Sequence, residues 1–297
     1  MGFTAEFPGF SGCDFHLQGL SLGGVETGLV VPEWKLALDV GRGRRPVVRC
    51  DHIALTHTHM DHAGGLPYVL ALRQLFHMKP PRVYVLDRVA DDLRAMIDSW
   101  EALQRHELSC EIIPVTPGGH YPIRKDLALV PFKTRHVVPS VGYTVVREVE
   151  KLRPELAELD RDEIVRRREA GEAITHAVTD PLLSFTGDTL PEALDDDASW
   201  AGARVVVHEA TFLDDAKPYE ACRAGGHTHL RDLLERSALF TGPHLVLSHF
   251  SQVHRWRDIP ELLAPLAERI TGQLYAMPTS EGGEIHGPIT ARGSTTT

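Results

Sequence analysis

The segment THTHMDH at residues 56–62 constrains this chain more than any other stretch. It places three imidazoles and a carboxylate, His57, His59, Asp61 and His62, within six positions. The apolar run at 53–55 reads as a buried strand. Residues two apart on an extended segment share a face, so His57 and His59 point the same way. Gly64 and Gly65 follow, and then an apolar-periodic stretch at 66–76 that predicts a helix. A strand, a tight loop and a helix start can turn Asp61 and His62 toward the same point as the first two histidines. Imidazole and carboxylate donors together suit zinc, manganese or iron. A lone H-x-H is usually solvated surface, but four donor-type residues behind a buried strand are hard to explain that way. One loop cannot complete a pair of ions, so further ligands must come from later in the chain.

Strand-like apolar runs recur at 36–40, 83–86, 112–115, 127–132, 141–146, 182–185, 205–207 and 245–247, and helical patterns at 66–76, 89–103, 230–240 and 259–270. Strands dominate the middle and strand–helix alternation frames it, which points to an α/β or α+β fold with helices covering sheets. The charged stretch 151–173 is expected to be a helical insertion on the surface. No repeat, low-complexity tract or linker interrupts the chain, so one domain over 1–297 is expected. That length can bury a large core.

Several function classes lose support from composition. No apolar run approaches the ~20 residues of a membrane helix. The start MGFTAEFPGF has neither the basic stretch nor the apolar core of a secretory signal. Cys13, Cys50, Cys110 and Cys222 form no C-x-x-C pair. They read as reduced cysteines of a cytoplasmic protein. The net charge of −10 opposes nucleic-acid binding globally, but basic residues cluster locally. Arg42, Arg44, Arg45 and Arg49 form one group, and Arg124, Lys125, Lys133 and Arg135 a second. Arg161, Arg166, Arg167 and Arg168 form a third, interleaved with acidic residues as on an ordinary solvated face.

Candidate ligands recur where apolar strands end: His136 after 127–134, Asp188 in SFTGDT and His249 in LSHFS. Strand ends followed by loops are where α/β proteins carry their sites. With THTHMDH these make seven donors, enough for two metal ions. Residue type suggests His57, His59 and His136 for one ion and Asp61, His62 and His249 for the other. Asp188 would bridge, since a carboxylate has two oxygens to offer. Asp39, in LALDVG, reads as the partner that holds a ligand histidine by its free ring N–H.

The H-x-H-x-D-H set at His57, His59, Asp61 and His62 resembles the hallmark of the metallo-β-lactamase superfamily. Within it the chain is similar to the ribonuclease Z family, in its short plant-type form. The narrower likeness lies in GLSLGG near the start, H-x-x-x-S-x-G-Y from His136 and FTGDT at 185–189. It continues in HEATF at 208–212, GGHTHL at 225–230 and LSHFS at 247–251. The resemblance implies an αββα sandwich with the dimetal site at one edge between two sheets. Three features of the family pattern are missing: the Gly- and Pro-rich arm of long bacterial members, the early Gly-Thr-Gly loop with its Pro-Lys-x-Arg-Asn motif, and the Arg-Tyr pair after HFS. Val253 and His254 stand in place of that pair.

The resemblance implies two divalent metal ions, with Zn2+ expected ahead of Mn2+ or Fe2+, and a phosphodiester substrate. Asp61 would orient or deprotonate the attacking water. Glu209 and His227 would deliver a proton to the leaving alkoxide, a contribution of roughly 10²–10⁴-fold. The activity expected is endoribonucleolytic removal of the 3′ trailer of precursor tRNA by a cytoplasmic homodimer. The alternative is hydrolysis of small phosphodiesters or cyclic nucleotides on the same site. A silent metal-binding protein is a third reading, opposed by the intact set of ligands. His208 and His229 read as structural, and His254 as a possible substrate contact.

Overall fold

Apolar runs without alternation become strands buried on both faces, as at Leu36–Leu38, Val205–Glu209 and His244–Ser248 in the middle of the sheets of this chain. A computed structural model describes residues 4–6, 15–280 and 286–291. The first sheet runs in chain order through β1 (Thr4–Glu6), β2 (His16–Leu22), β3 (Glu26–Val31), β4 (Leu36–Leu38), β5 (His52–Ala54), β6 (Arg82–Leu86) and β7 (Glu111–Val115). Its pairings are antiparallel from β1 to β4 and parallel from β4 to β7. The second sheet runs through β8 (Tyr121–Pro122), β9 (Leu127–Lys133), β10 (Val141–Leu152), β11 (Thr175–Phe185), β12 (Val205–Glu209), β13 (His244–Ser248), β14 (Gln273–Ala276) and β15 (His286–Ile289). Strands β11 to β14 are parallel, and the other pairings of that sheet are antiparallel.

Residue alternation separates the layers. Val205, Val207 and Val246 join a core that also takes in Leu29, Ile53 and Val83 of the first sheet. Their neighbours Val206, Leu245 and Leu247 point the other way, into a second cluster with Trp200, Leu233, Ile259 and Leu263. Helices α1 (Arg45–Val48), α2 (Met60–Ala63), α3 (Leu66–Leu75) and α4 (Ala90–Gln104) belong to the half of the chain that forms the first sheet. Helix α5 (Arg161–Glu169) lies between β10 and β11. Helices α6 (Glu192–Asp196), α7 (Tyr219–Ala224), α8 (Leu230–Glu235) and α9 (Ile259–Ala267) accompany the second sheet. The helix–sheet–sheet–helix order agrees with the α/β class expected.

Three differences between sequence and structure stand out. The hairpin β2–β3 has no counterpart among the expected strands. The helix expected over 230–240 stops at Glu235, where Arg236 turns its guanidinium to Asp195 at 2.7 and 2.9 Å. The charged stretch 151–173 is only partly helical. Strands β10 and β11 pair as far as Leu152↔Thr175 and carry α5 at their tip, where the Asp160 side chain caps the helix by accepting from Glu163 N–H at 2.8 Å. Pairing of β10 with β9 ends at Arg147, so the outer part is a two-stranded arm. The cysteines agree with the sequence reading among the described residues: Cys50, Cys110 and Cys222 are free thiols, and Cys13 lies outside those residues.

Candidate dimetal site

Five strand ends deliver the donors. The β5 end leads into His57, His59, Asp61 and His62; β9 leads to His136, β11 to Asp188, β12 to Glu209 and β13 to His249. The donor atoms of His57, His59, His136 and Asp188 all lie within 4.8 Å of one another, as do those of Asp61, His62 and His249. His59 Nδ1 is 3.1 Å from His57 Nε2 and 3.2 Å from His136 Nε2. In the other group His62 Nε2 is 3.5 Å and His249 Nε2 3.4 Å from Asp61 Oδ2. Asp188 lies between the groups: Oδ1 is 3.4 Å from His62 Nε2, and Oδ2 is 3.3 Å from His249 Nε2 and 3.8 Å from His57 Nε2. The seven residues are thus brought together in the two groups that residue type suggested. His227 adds an eighth donor close to Asp188 and His249, a placement outside the expected ligand set.

Hydrogen bonds on the outer side of the cluster decide which ring nitrogens face inward. Asp39 Oδ2 lies 2.7 Å from His62 Nδ1, and a carboxylate only accepts, so His62 carries its proton on Nδ1. Asp39 also takes the Thr56 hydroxyl proton at 2.8 Å, which leaves Thr56 Oγ1 to accept from His57 Nδ1 at 3.1 Å. The carbonyl of Gly226 accepts from His136 Nδ1 at 2.9 Å. His57, His62 and His136 therefore aim Nε2 lone pairs at each other and at two carboxylates. Burial lowers the pKa of His57, His59 and His136, which keeps these imidazoles neutral; for His62 burial is outweighed by the Asp188 and Asp39 carboxylates, which raise its pKa and show how strongly this spot favours a positive charge. Asp188 Oδ1 is buried with no hydrogen-bond partner. Lone pairs and anionic oxygens packed this closely repel unless cations lie among them. Divalent metal ions fit this donor set, and the outer bonds are those that orient metal-binding histidines.

Two glycines are needed for this packing. Gly226 has φ +76°, and a Cβ there would come within 2.7 Å of His136 Nδ1. Gly187, at φ +58°, would drive a Cβ to 2.4 Å from Thr56 Oγ1 and break the link from Asp39 to His57.

Glu209 is 1% exposed and fully engaged. Its Oε1 accepts from Thr189 N–H at 2.7 Å and lies 3.1 Å from His227 Nδ1, and its Oε2 accepts from the Thr211 hydroxyl at 2.5 Å. Burial lowers the His227 pKa, but the charge of Glu209 and its hydrogen bond outweigh that and raise it to about 9. The sequence pairing of Glu209 with His227 has a direct geometric counterpart. His229 is a helix cap, its Nδ1 accepting from Arg231 N–H at 3.0 Å at the start of α8. His208 is buried and stacked 5.8 Å from Trp200. His254 does not offer itself to substrate: its side chain is 2% exposed, and Nε2 accepts from Leu213 N–H at 3.1 Å.

Sequence reasoning missed the contribution of the N-terminal hairpin. Gly24 N–H, in the β2–β3 turn, donates to Asp61 Oδ2 at 3.0 Å, and Ser21 Oγ accepts from His249 N–H at 2.9 Å. GLSLGG is therefore a clasp on two ligands from different sheets. Its small residues were the available signal.

Comparison with known proteins places this arrangement. The family described as "Beta-lactamase superfamily domain" matches residues 31–250. The chloroplastic tRNase Z TRZ2 of Arabidopsis thaliana is 33% identical over 270 residues, 90% of this chain and 76% of that protein. The tRNase Z TRZ1 of the same plant is 33% identical over 265 residues, 89% of this chain and 95% of its own length. In fold, the chain superposes on the metallo-β-lactamase fold protein YhfI from Bacillus subtilis with a TM-score of 0.61 at 15% identity, covering 91% and 97% of the two chains. Human short-form tRNase Z gives a TM-score of 0.55 at 19% identity, with 80% and 93% covered. The chain belongs to the tRNase Z (ribonuclease Z) family of metal-dependent hydrolases with the metallo-β-lactamase fold.

Proposed function

We propose that this chain is an endoribonuclease that removes the 3′ trailer of precursor tRNA. The observation that carries the reading is the Glu209–His227 pair set against the seven-donor cluster, in a chain whose relatives are named tRNase Z. His57, His59 and His136 would hold one ion, Asp61, His62 and His249 the other, and Asp188 both, with Zn2+ as the metal. Two such ions supply Lewis acidity to a phosphodiester and acidify a water. Asp61, held by Gly24 N–H, orients that water. His227, partly open at 20% side-chain exposure, delivers a proton to the departing 3′ oxygen, and Glu209 holds the imidazole in place. A single domain over 1–297 with the β10–β11 arm as its outlying part, working in the cytoplasm, completes the reading. Among the described residues no helix is long and apolar enough to cross a membrane.

A homodimer is also proposed. Tyr68, Leu75 and Phe76 are 58%, 67% and 55% exposed along α3 and its end, beside the ligand loop. Apolar groups grouped this way on a soluble surface suit a protein contact. Tyr68→Glu with Leu75→Glu is expected to convert the dimer to a monomer in sedimentation; a wild-type monomer would contradict the proposal.

RNA binding must come from local patches, because a chain at −10 repels polyanions as a whole. Part of the basic inventory is already engaged. Arg44 makes two 2.7 Å bonds to buried Glu26, and Arg135 pairs with Asp196 at 2.6 Å. On the arm Arg166 pairs with Glu163 at 2.8 Å and Arg167 with Glu163 at 3.1 Å and Glu172 at 3.5 Å, but the Arg166 side chain is still 71% exposed, and Arg168 stands beside them. Exposed pairs of this kind contribute ~1 kcal/mol or less, so these arginines are cheap to recruit. Affinity for precursor tRNA should fall with salt, each neutralised phosphate adding about −0.7 to −0.9 to the slope of log K against log salt. Arg166→Glu, Arg167→Glu and Arg168→Glu together should weaken tRNA cleavage on the order of tenfold or more and leave a small diester untouched. An enzyme fast on the small diester that ignores the triple reversal and cuts tRNA at no defined position would support the small-diester hydrolase instead.

A further inference from the structure

Thr211 touches both functional halves of the site. Its side chain lies in a residue 5% exposed, with the hydroxyl 2.5 Å from Glu209 Oε2 and 2.9 Å from His249 Nδ1. A hydroxyl has one proton to give. Glu209 is a carboxylate that can only accept, so the proton goes there. Thr211 Oγ1 must then accept from His249, which places the imidazole proton on Nδ1 and the lone pair on Nε2. That lone pair lies 3.4 Å from Asp61 Oδ2, 3.3 Å from Asp188 Oδ2 and 3.4 Å from His62 Nε2.

Backbone geometry makes this side-chain bond decisive. His249 sits at φ +61°, a left-handed conformation uncommon for a residue with a side chain. Its N–H is held by Ser21 Oγ, and Ser251 N–H donates to the Thr211 carbonyl at 2.8 Å, which locks the HEATF and HFS loops in register. The ring can still carry its proton on either nitrogen. Asp39 and Gly226 set that choice for His62 and His136. For His249, Thr211 is the partner that Nδ1 has among the described residues.

We propose that Thr211 is a positioning residue that links the Glu209–His227 pair to the metal ligand His249, presenting His249 Nε2 inward with its lone pair free and steadying the Glu209 carboxylate for His227. The proposal rests on the dimetal reading of the site but not on the identity of the RNA.

Thr211→Val keeps the volume and removes the hydroxyl, which leaves a buried Nδ1–H without an acceptor. Loss of such an outer partner typically costs ~10–100-fold in metal affinity or activity. Competition with a chromophoric chelator should show one of two Zn2+ ions bound about 10–100-fold more weakly. The kcat for a small diester should fall with little change in KM, and Thr211→Ser should restore both. Two-bond ¹H–¹⁵N spectra of the zinc-loaded wild-type protein should show His249 protonated on Nδ1. That measurement holds even where the valine variant folds poorly. A proton on Nε2, wild-type zinc affinity and kcat in Thr211→Val, or a serine variant no better than valine would each overturn the role of Thr211. A wild-type protein that takes up no divalent ion would overturn the dimetal reading itself.

Discussion

Asp188→Ala should cost more bound metal and more activity than any single histidine substitution. Asp188 is the carboxylate between the two groups, with its oxygens 3.4 Å from His62 Nε2 and 3.3 Å from His249 Nε2, and 3.8 Å from His57 Nε2. A histidine change removes one neutral donor from one group. The aspartate change removes a negative charge shared by both, from a place 2% exposed where no water readily replaces it. We expect fewer than two ions per chain by metal analysis. A loss in kcat/KM on the order of 10³–10⁴ corresponds to roughly 4–5.5 kcal/mol of transition-state stabilisation. His249→Ala, by comparison, should retain the ion of the His57, His59 and His136 group. Two ions retained in Asp188→Ala would show that the carboxylate does not join the groups.

Glu209→Gln and His227→Ala should each cost about 10²–10⁴-fold, the range of a single general acid, with both ions still bound. Their combination should cost little beyond the worse single change. The reason is geometric: Glu209 Oε1 lies 3.1 Å from His227 Nδ1, so its contribution to proton delivery runs through that ring. Residues that act in one step are strongly non-additive. Losses that multiply would mean two independent roles, and His227, within 4.8 Å of the Asp188 and His249 donors, would then be better read as a ligand. Metal content of His227→Ala separates those outcomes.

The strands that carry the site were legible because burial on both faces writes itself as unbroken apolar runs, as at Val205 to Val207 before HEATF. Strand ends then located the donors, and Asp39 was legible as a carboxylate at a strand end, where it accepts from His62 and Thr56. The β2–β3 hairpin was not legible. Gln18, Gly19 and Gly28 interrupt its apolar pattern, and the close approach of the two strands requires a glycine at 19, where a Cβ would come within 2.2 Å of the Gly28 carbonyl oxygen. Ser21 and Thr211 escaped for another reason. A hydroxyl placed between two buried groups is defined by contacts between segments far apart in the chain, and nothing in its neighbours announces it. His254 was read as a substrate contact from its place after HFS, whereas its ring is turned inside, where Nε2 accepts from Leu213 N–H.

Cleavage of a precursor tRNA with both ends mapped tests the central claim most directly. The metal-loaded protein should release the 3′ trailer at one position immediately past the tRNA body, leaving a 3′ hydroxyl, and the chelated protein should not. Asp188→Ala should be silent in the same assay. Scattered cuts, cleavage that survives metal removal, or an intact precursor beside rapid hydrolysis of a small diester would contradict it.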